Sequence, residues 1–170
     1  RGQGGLRQAR QAASEQLVRQ LRPERQQRLA EGGRVERELG AIRVELGELL
    51  RRADVVSLHV PASPETVGLI GRAELRAMRP HAVLVNTARG ALVDSAALVE
   101  ALRADEIGAA GLDVYESEPS IPAELLEAPR CVLLPHIGSA TTRARDGMAR
   151  MAAENVLAVL SGSKPPNRVL

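Results

Sequence analysis

The sequence predicts an α/β fold built on a parallel sheet, and two observations carry that prediction. Beyond Gly40, short continuous apolar runs alternate with stretches of helical spacing, the pattern of strands covered by crossover helices rather than of half-solvated antiparallel strands. The runs are also strand-length, as in Val55-Val56-Ser57-Leu58-His59-Val60, and each passes directly into a polar or glycine-rich stretch. In parallel sheets, ligands collect at the carboxyl ends of the strands.

The bulk numbers bound this reading. A chain of 170 residues is one domain's worth, or one domain plus a fragment, and 44% apolar with 26% charged residues is ordinary for a soluble globular protein and wrong for a disordered one. One cysteine, Cys131, excludes a disulfide framework and a cysteine-based zinc site. No apolar run is long enough to span a membrane, and no signal-peptide pattern is present, so a cytoplasmic protein is expected.

Composition divides the chain at Gly40. Residues 1–40 hold nine arginines against five glutamates and all seven glutamines, a surplus of four positive charges. The net charge of +2 for the whole chain therefore leaves −2 for residues 41–170. In the first part Leu17, Val18 and Leu21 mark one face of a short helix at most, because Pro23 and Gly32-Gly33 interrupt anything longer. An Arg/Gln-rich arm can bind phosphates, but no stacking aromatic or DNA-binding pattern accompanies it, so neither nucleic acid nor membrane is an expected partner.

Each element of the second part has its own signal. Ile42–Val44 is a short strand candidate, and Leu46–Ala53 forms a helical turn or two. Asp54–Val60 is a buried strand ended by Pro61, with a turn from Pro61 to Pro64. Glu74–Met78 lies in a short helix, Ala82–Asn86 in a second buried strand and Asp94–Ala104 in a helix. Gly108–Asp113 and Cys131–Leu134 are the remaining strands. A long helix runs from about Ser139, its expected N-cap, to Leu160. Its Met148, Met151, Ala152, Val156, Val159 and Leu160 recur at helical spacing and need burial. Cys131 is expected to pack as a small apolar side chain, and His59 and His81 to be structural or surface residues.

The predicted strand ends read His59-Val60-Pro61, Asn86-Thr87-Ala88-Arg89-Gly90, Asp113-Val114-Tyr115 and Pro135-His136-Ile137-Gly138. Three groups there could do chemistry. His136, a histidine following a strand, is of the residue type suited to general acid–base work. Glu118 beside it would favour the imidazolium and fix its tautomer. Arg89 offers a planar fork matched to a substrate carboxylate. Singly, each reads more simply as a turn or surface residue. Jointly, at successive strand ends, they suit reduction of a 2-keto acid.

The wording of these stretches resembles the D-isomer-specific 2-hydroxyacid dehydrogenases from about Glu38 to Val169. The matching pieces are Asp54–Pro61, Pro64-Glu65-Thr66, Val85–Gly90, Ala110–Glu116 with Glu118-Pro119, and Leu134–Thr141. The resemblance implies an NAD or NADP cofactor, a small 2-keto or 2-hydroxy acid substrate, and a homodimer in full-length members. It implies Arg89 as the substrate-binding arginine, His136 as the acid–base and Glu118 as its partner. Glu118, unlike Glu116, directly precedes proline as the family's glutamate does. Val60, Pro61 and Thr66 would line the adenosine side, Thr87 and Ala88 the nicotinamide ribose, and Asp113 the carboxamide. Gly138 would allow close approach beside the ring. The His-Ile-Gly-Ser-Ala-Thr wording is most similar to the glyoxylate/hydroxypyruvate reductase branch.

The fold implied is an incomplete Rossmann-type, doubly wound parallel sheet lacking its first strands. Residues 1–40 would be a degenerate or replaced start, 41–147 the rest of the cofactor domain, and 148–170 a helix and tail returning to a substrate domain. At the start stands Gly2-Gln3-Gly4-Gly5-Leu6-Arg7, with Arg7 in the place of the third fingerprint glycine. Counting onward from it, the ribose-reading position falls near Arg25-Gln26 in a stretch with no strand. Without a first strand, the strand at Val55–His59 would show an unpaired edge, and the last helix an apolar face. The isolated chain is expected to turn over little or nothing. A dinucleotide-sensing, corepressor-like module is the alternative.

Overall fold

Four short strands, β1 (Val55–Leu58), β2 (Val83–Asn86), β3 (Ala109–Leu112) and β4 (Cys131–Leu133), lie parallel in the order β1-β2-β3-β4. The computed structural model describes Glu38 and residues 40–168. The Gly2–Arg7 pattern, the Leu17/Val18/Leu21 face and Arg25-Gln26 lie outside the described residues. The described chain divides into two units, one ending at Leu133 and one beginning at Leu134.

In the first unit, helix α1 (Leu46–Arg52) precedes β1, α2 (Arg72–Ala77) joins β1 to β2, and α3 (Ser95–Arg103) joins β2 to β3. The short α4 (Ala123–Leu126) leads into β4. The expected helices and four strands are therefore present, mostly a residue or two shorter at their ends. Ile42–Val44 is not a strand: Ile42 is exposed, and the run has no pairing partner among the described residues.

Strands added in sequence order by right-handed crossovers place their connecting helices on one face. Burial follows that rule. Val56 and Leu58, Leu84 and Asn86, and Ala110 and Leu112 are buried on the helix-covered face. On the opposite face Val55 and Val132 are 61% and 64% exposed. Among the described residues the sheet is thus wound in one direction, and β1 is an edge.

The helices form a single layer, with α1 against α2, α2 against α3 and α3 against α4. The sequence Ser-Ala-Ala-Leu-Val-Glu-Ala-Leu-Arg makes α3 the centre of that layer. It buries Ala97, Leu98, Val99, Ala101 and Leu102 and leaves Glu100 and Arg103 in solvent. Asp94 caps α3 by accepting the Ala97 N–H at 3.0 Å. Cys131 packs against this core, and partial burial pushes its thiol pKa up.

At the amino end of the sheet, Asp54 Oδ1 accepts from Arg79 Nη1 and pairs with His81 Nε2, both at 2.8 Å. The hydrogen bond from His81, then that from Arg79, holds the Asp54 carboxyl below its ordinary value.

The second unit holds α5 (Thr142–Leu160), none of whose residues is buried. Met148, Met151, Val156, Val159 and Leu160 are exposed, as the unpartnered apolar face predicted. Ser139 is not the cap. Residues before Thr141 turn, with the Ala140 N–H donating to Ile137 O at 2.9 Å, and Thr141 is the extended residue whose hydroxyl accepts the Ala144 N–H. After α5, Asn167 and Asn155 exchange two hydrogen bonds that fold the tail back onto the helix. No helix among the described residues is long and apolar enough to cross a membrane.

Two outcomes follow from this packing. Leu84→Ala empties a fully buried site on the central strand β2 and should lower the unfolding free energy by about 2–5 kcal/mol in urea titrations. Because the Asp54 pKa is depressed on folding, its contribution is present above the unfolded value and lost as pH falls through the folded one. Melting temperatures followed through the acid range should therefore drop less steeply for Asp54→Asn than for the parent chain.

Candidate functional site

The parallel register sets where the loops emerge. Leu58 pairs with Asn86, Asn86 with Leu112 and Leu112 with Leu133, so all four strands end on one row. The segments leaving β1, β2 and β3 therefore start level with one another.

The β1 loop is braced from within. The Thr66 hydroxyl donates to Pro61 O at 2.7 Å and accepts the Ser63 N–H at 2.8 Å. Thr66 thus shapes the loop that carries Val60 and Pro61. This loop is laced to the β2 loop by backbone hydrogen bonds: Gly68 N–H to Ala91 O at 2.8 Å, Ile70 N–H to Leu92 O at 3.0 Å, and Asp94 N–H to Ile70 O at 3.0 Å.

Between the two loops lies a cleft of about 590 Å³, lined by His59, Val60, Pro61, Ala62, Ala88 and Arg89, a size within the range of small-molecule sites. Val60, Pro61, Ala88 and Arg89 of the expected site thus share one cavity. Its lining mixes the apolar side chains of Val60, Pro61, Ala62 and Ala88 with polar groups, among them the Arg89 guanidinium and the His59 imidazole. Such apolar groups suit a flat ring, and such a cation suits a carboxylate.

Arg89 is exposed, and its Nη1 donates to Ala88 O at 2.6 Å. Thr87 is exposed at the end of β2. The turn between them and β2 is held by Asn86, whose Nδ2 donates to Arg89 O at 2.8 Å and whose Oδ1 accepts the Ala88 N–H at 3.0 Å.

The β3 loop meets the β2 loop at Gly90. A Cβ at this position would sit 1.9 Å from the Tyr115 carbonyl carbon and 2.3 Å from Glu116 N. Only the absence of a side chain allows the two backbones to touch. Asp113 is buried, and its N–H donates to Asn86 O at 3.0 Å. Glu118 is exposed, with Oε1 accepting the Tyr115 N–H at 2.9 Å. The Tyr115 hydroxyl donates back to Leu112 O at 3.2 Å.

His136 and Gly138 belong to the second unit. His136 has φ of 54°, a left-handed conformation uncommon outside glycine though several-fold enriched in histidine.

Two residues acquire roles that the sequence did not assign. His59 lines the cleft, where its Nε2 lies 2.9 Å from Ser57 Oγ. Asn86 is buried and braces the arginine turn. The signal for Asn86 was present: an amide closing an apolar strand run needs partners.

Thr66→Val keeps the shape of the side chain but deletes both bracing hydrogen bonds. At about 0.5–1.5 kcal/mol each, their loss should raise amide hydrogen exchange at Ser63 roughly tenfold, while the Leu84 amide stays unchanged.

Comparison with known proteins places the chain in a family. A family profile described as "D-isomer specific 2-hydroxyacid dehydrogenase, NAD binding domain" matches residues 17–138, reaching back into the stretch that composition sets apart. A glyoxylate reductase of Thermococcus litoralis is 50% identical over 134 residues, covering 79% of this chain and 40% of that protein. The crystal structure of an NADPH-dependent glyoxylate/hydroxypyruvate reductase from Sinorhizobium meliloti, in complex with NADP and malonate, is 37% identical with a TM-score of 0.68. That match covers 71% of this chain and 38% of the other. A D-lactate dehydrogenase with NAD+ from Lactobacillus jensenii is 32% identical with a TM-score of 0.68, covering 75% and 42%. The chain spans about two-fifths of the length of the curated relatives it matches.

Proposed function

Since the chain belongs to the D-isomer-specific 2-hydroxyacid dehydrogenase family through its NAD-binding domain, we propose that it is the cofactor-binding part of a reductase of glyoxylate- or hydroxypyruvate-type 2-keto acids. The observation that carries this reading is the cleft at the strand ends, whose lining Arg89 shares with the apolar side chains of Val60, Pro61, Ala62 and Ala88.

In this reading Arg89 holds the substrate carboxylate through two parallel hydrogen bonds, which fixes the carbonyl carbon next to it. His136, as imidazolium, donates a proton to the carbonyl oxygen in reduction and takes it back in oxidation. Glu118 favours the charged imidazole and orients it. The nicotinamide of NAD or NADP, when bound, supplies or accepts the hydride at C2.

The cleft fits one end of such a cofactor, having an apolar surface for a ring and backbone groups of a glycine-bearing loop close by. Val60, Pro61 and Thr66 would hold the adenosine side, Thr87 and Ala88 the nicotinamide ribose, Asp113 the carboxamide, and Gly138 would leave room beside the ring. The complete enzyme, in this reading, is a homodimer.

The test uses both the chain alone and the same chain preceded by a substrate-binding half. The chain alone should show little or no keto-acid-dependent oxidation of NADH or NADPH. The completed polypeptide should oxidise one of them with glyoxylate or hydroxypyruvate. His136→Ala should cut that rate by about 10²–10⁴-fold, and Arg89→Lys should mainly raise KM for the keto acid. Dinucleotide binding with no turnover in the completed polypeptide would overturn the reading in favour of a dinucleotide-sensing module.

A further inference from the structure

The row of residues that ends the sheet contains an anomaly. Its four members are Leu58, Asn86, Leu112 and Leu133, so one carboxamide stands among three leucines. Asn86 is 1% exposed, and burying an amide on an apolar sheet face is costly unless its donors and acceptors are used. A leucine would satisfy the packing of that row. The amide is instead spent on the loop that follows: it donates to Arg89 O and accepts the Ala88 N–H.

We propose that Asn86 is a positioning residue, which sets Arg89 directly and registers the Glu118 loop against it through Gly90. This deepens, and rests on, the reading of Arg89 and Glu118 given above.

Three joints make the connection. The Asn86 side chain closes the turn on both sides of Arg89 N. Its backbone carbonyl accepts the Asp113 N–H at 3.0 Å, tying the start of the β3 loop to the same residue. The Tyr115–Glu116 peptide then rests on Gly90, one residue after Arg89, at a distance that excludes any side chain. From Tyr115 the chain of contacts reaches Glu118 Oε1 through the Tyr115 N–H. A shift of the arginine turn therefore presses on the peptide whose amide holds the glutamate. Two groups proposed to serve one small substrate are thereby kept at a fixed spacing, as orientation-dependent catalysis requires.

The experiment is amide hydrogen exchange on the full 170-residue chain and on Asn86→Leu and Asn86→Asp. Asn86→Leu matches its row neighbours, so the sheet should persist, with Leu84 and Ala110 amides as protected as in the parent. Protection of Ala88 and of Tyr115 should fall together, by tenfold or more. Asn86→Asp keeps the oxygen that accepts the Ala88 N–H but sets an anionic oxygen against Arg89 O at neutral pH, so Tyr115 protection should fall while Ala88 stays better protected than in Asn86→Leu. Tyr115 protection should recover on acidification, because the protonated carboxyl donates as the amide does. Gly90→Ala should unprotect Tyr115 while sparing Ala88, separating the two joints.

Unchanged Tyr115 protection in Asn86→Leu, with the strands intact, would overturn the proposal. So would Asn86→Asp protection that does not respond to pH. In the completed polypeptide, Asn86→Asp should raise KM for the keto acid several-fold more than it lowers kcat, and the rise should shrink toward low pH. A parent polypeptide without turnover would sink the functional reading, while the exchange result would still decide the coupling.

Discussion

The level ending of four parallel strands is the constraint from which the rest of the first unit follows. Parallel strands in register deliver successive loops to one edge of the sheet, and here that row runs Leu58, Asn86, Leu112 and Leu133. Because the loops start side by side, short backbone contacts suffice to join them. The β1 and β2 loops share the hydrogen bonds at Gly68, Ile70 and Asp94, and the β2 and β3 loops meet at Gly90. A cleft walled by such loops has a defined shape without large side chains to prop it, which accords with a chain holding one aromatic residue, Tyr115.

The same register explains the uneven burial of the sheet. Strands added in one direction by right-handed crossovers gather their helices on one face. The faces are not different in polarity: Val55, Val83, Val85 and Val132 stand opposite the helices, as apolar as the residues beneath them. Continuous apolar strands of this kind are those of a sheet meant to be covered twice. The exposure of Val55 and Val132 is what the described residues leave when one layer is present. In the second unit, the apolar side of α5 shows the same surplus of hydrophobic surface over cover. Surface of that kind favours association, since each buried square ångström contributes about 25 cal/mol.

Much of this was legible in the sequence, for physical reasons that differ by element. The strands were readable because a doubly coverable strand is apolar on both sides, as in Val83-Leu84-Val85. Arg89, Glu118 and His136 were readable as strand-end polar residues, and Val60, Pro61 and Ala88 of the expected cofactor contacts do line one cleft with Arg89. Ile42–Val44 misled because a strand needs a neighbour as well as a composition. Ser139 misled because capping depends on which residue is extended, and the chain still turns at Ala140 before Thr141 takes that role. His59 read as a structural or surface residue and is exposed, but nothing local reveals that the loop opposite would bring Arg89 to the same cavity.

Gly90 and Asn86 show where local reading stops. Each has an ordinary explanation taken alone, a turn glycine and a strand-end amide. Their significance depends on a peptide some 25 positions further on, brought against Gly90 by the β2–β3 pairing. The pairing and the contact support each other: the register of Asn86 with Leu112, carried four residues on, sets Glu116 level with Gly90, and the missing Cβ permits the Tyr115–Glu116 peptide to rest there. A buried amide at Asn86 would be a net cost in an isolated strand. In this sheet it converts the fixed geometry of backbone pairing into a fixed geometry for the exposed side chain three residues later. The stability forgone by not placing a fourth leucine in the row is the physical measure of how much that geometry is worth.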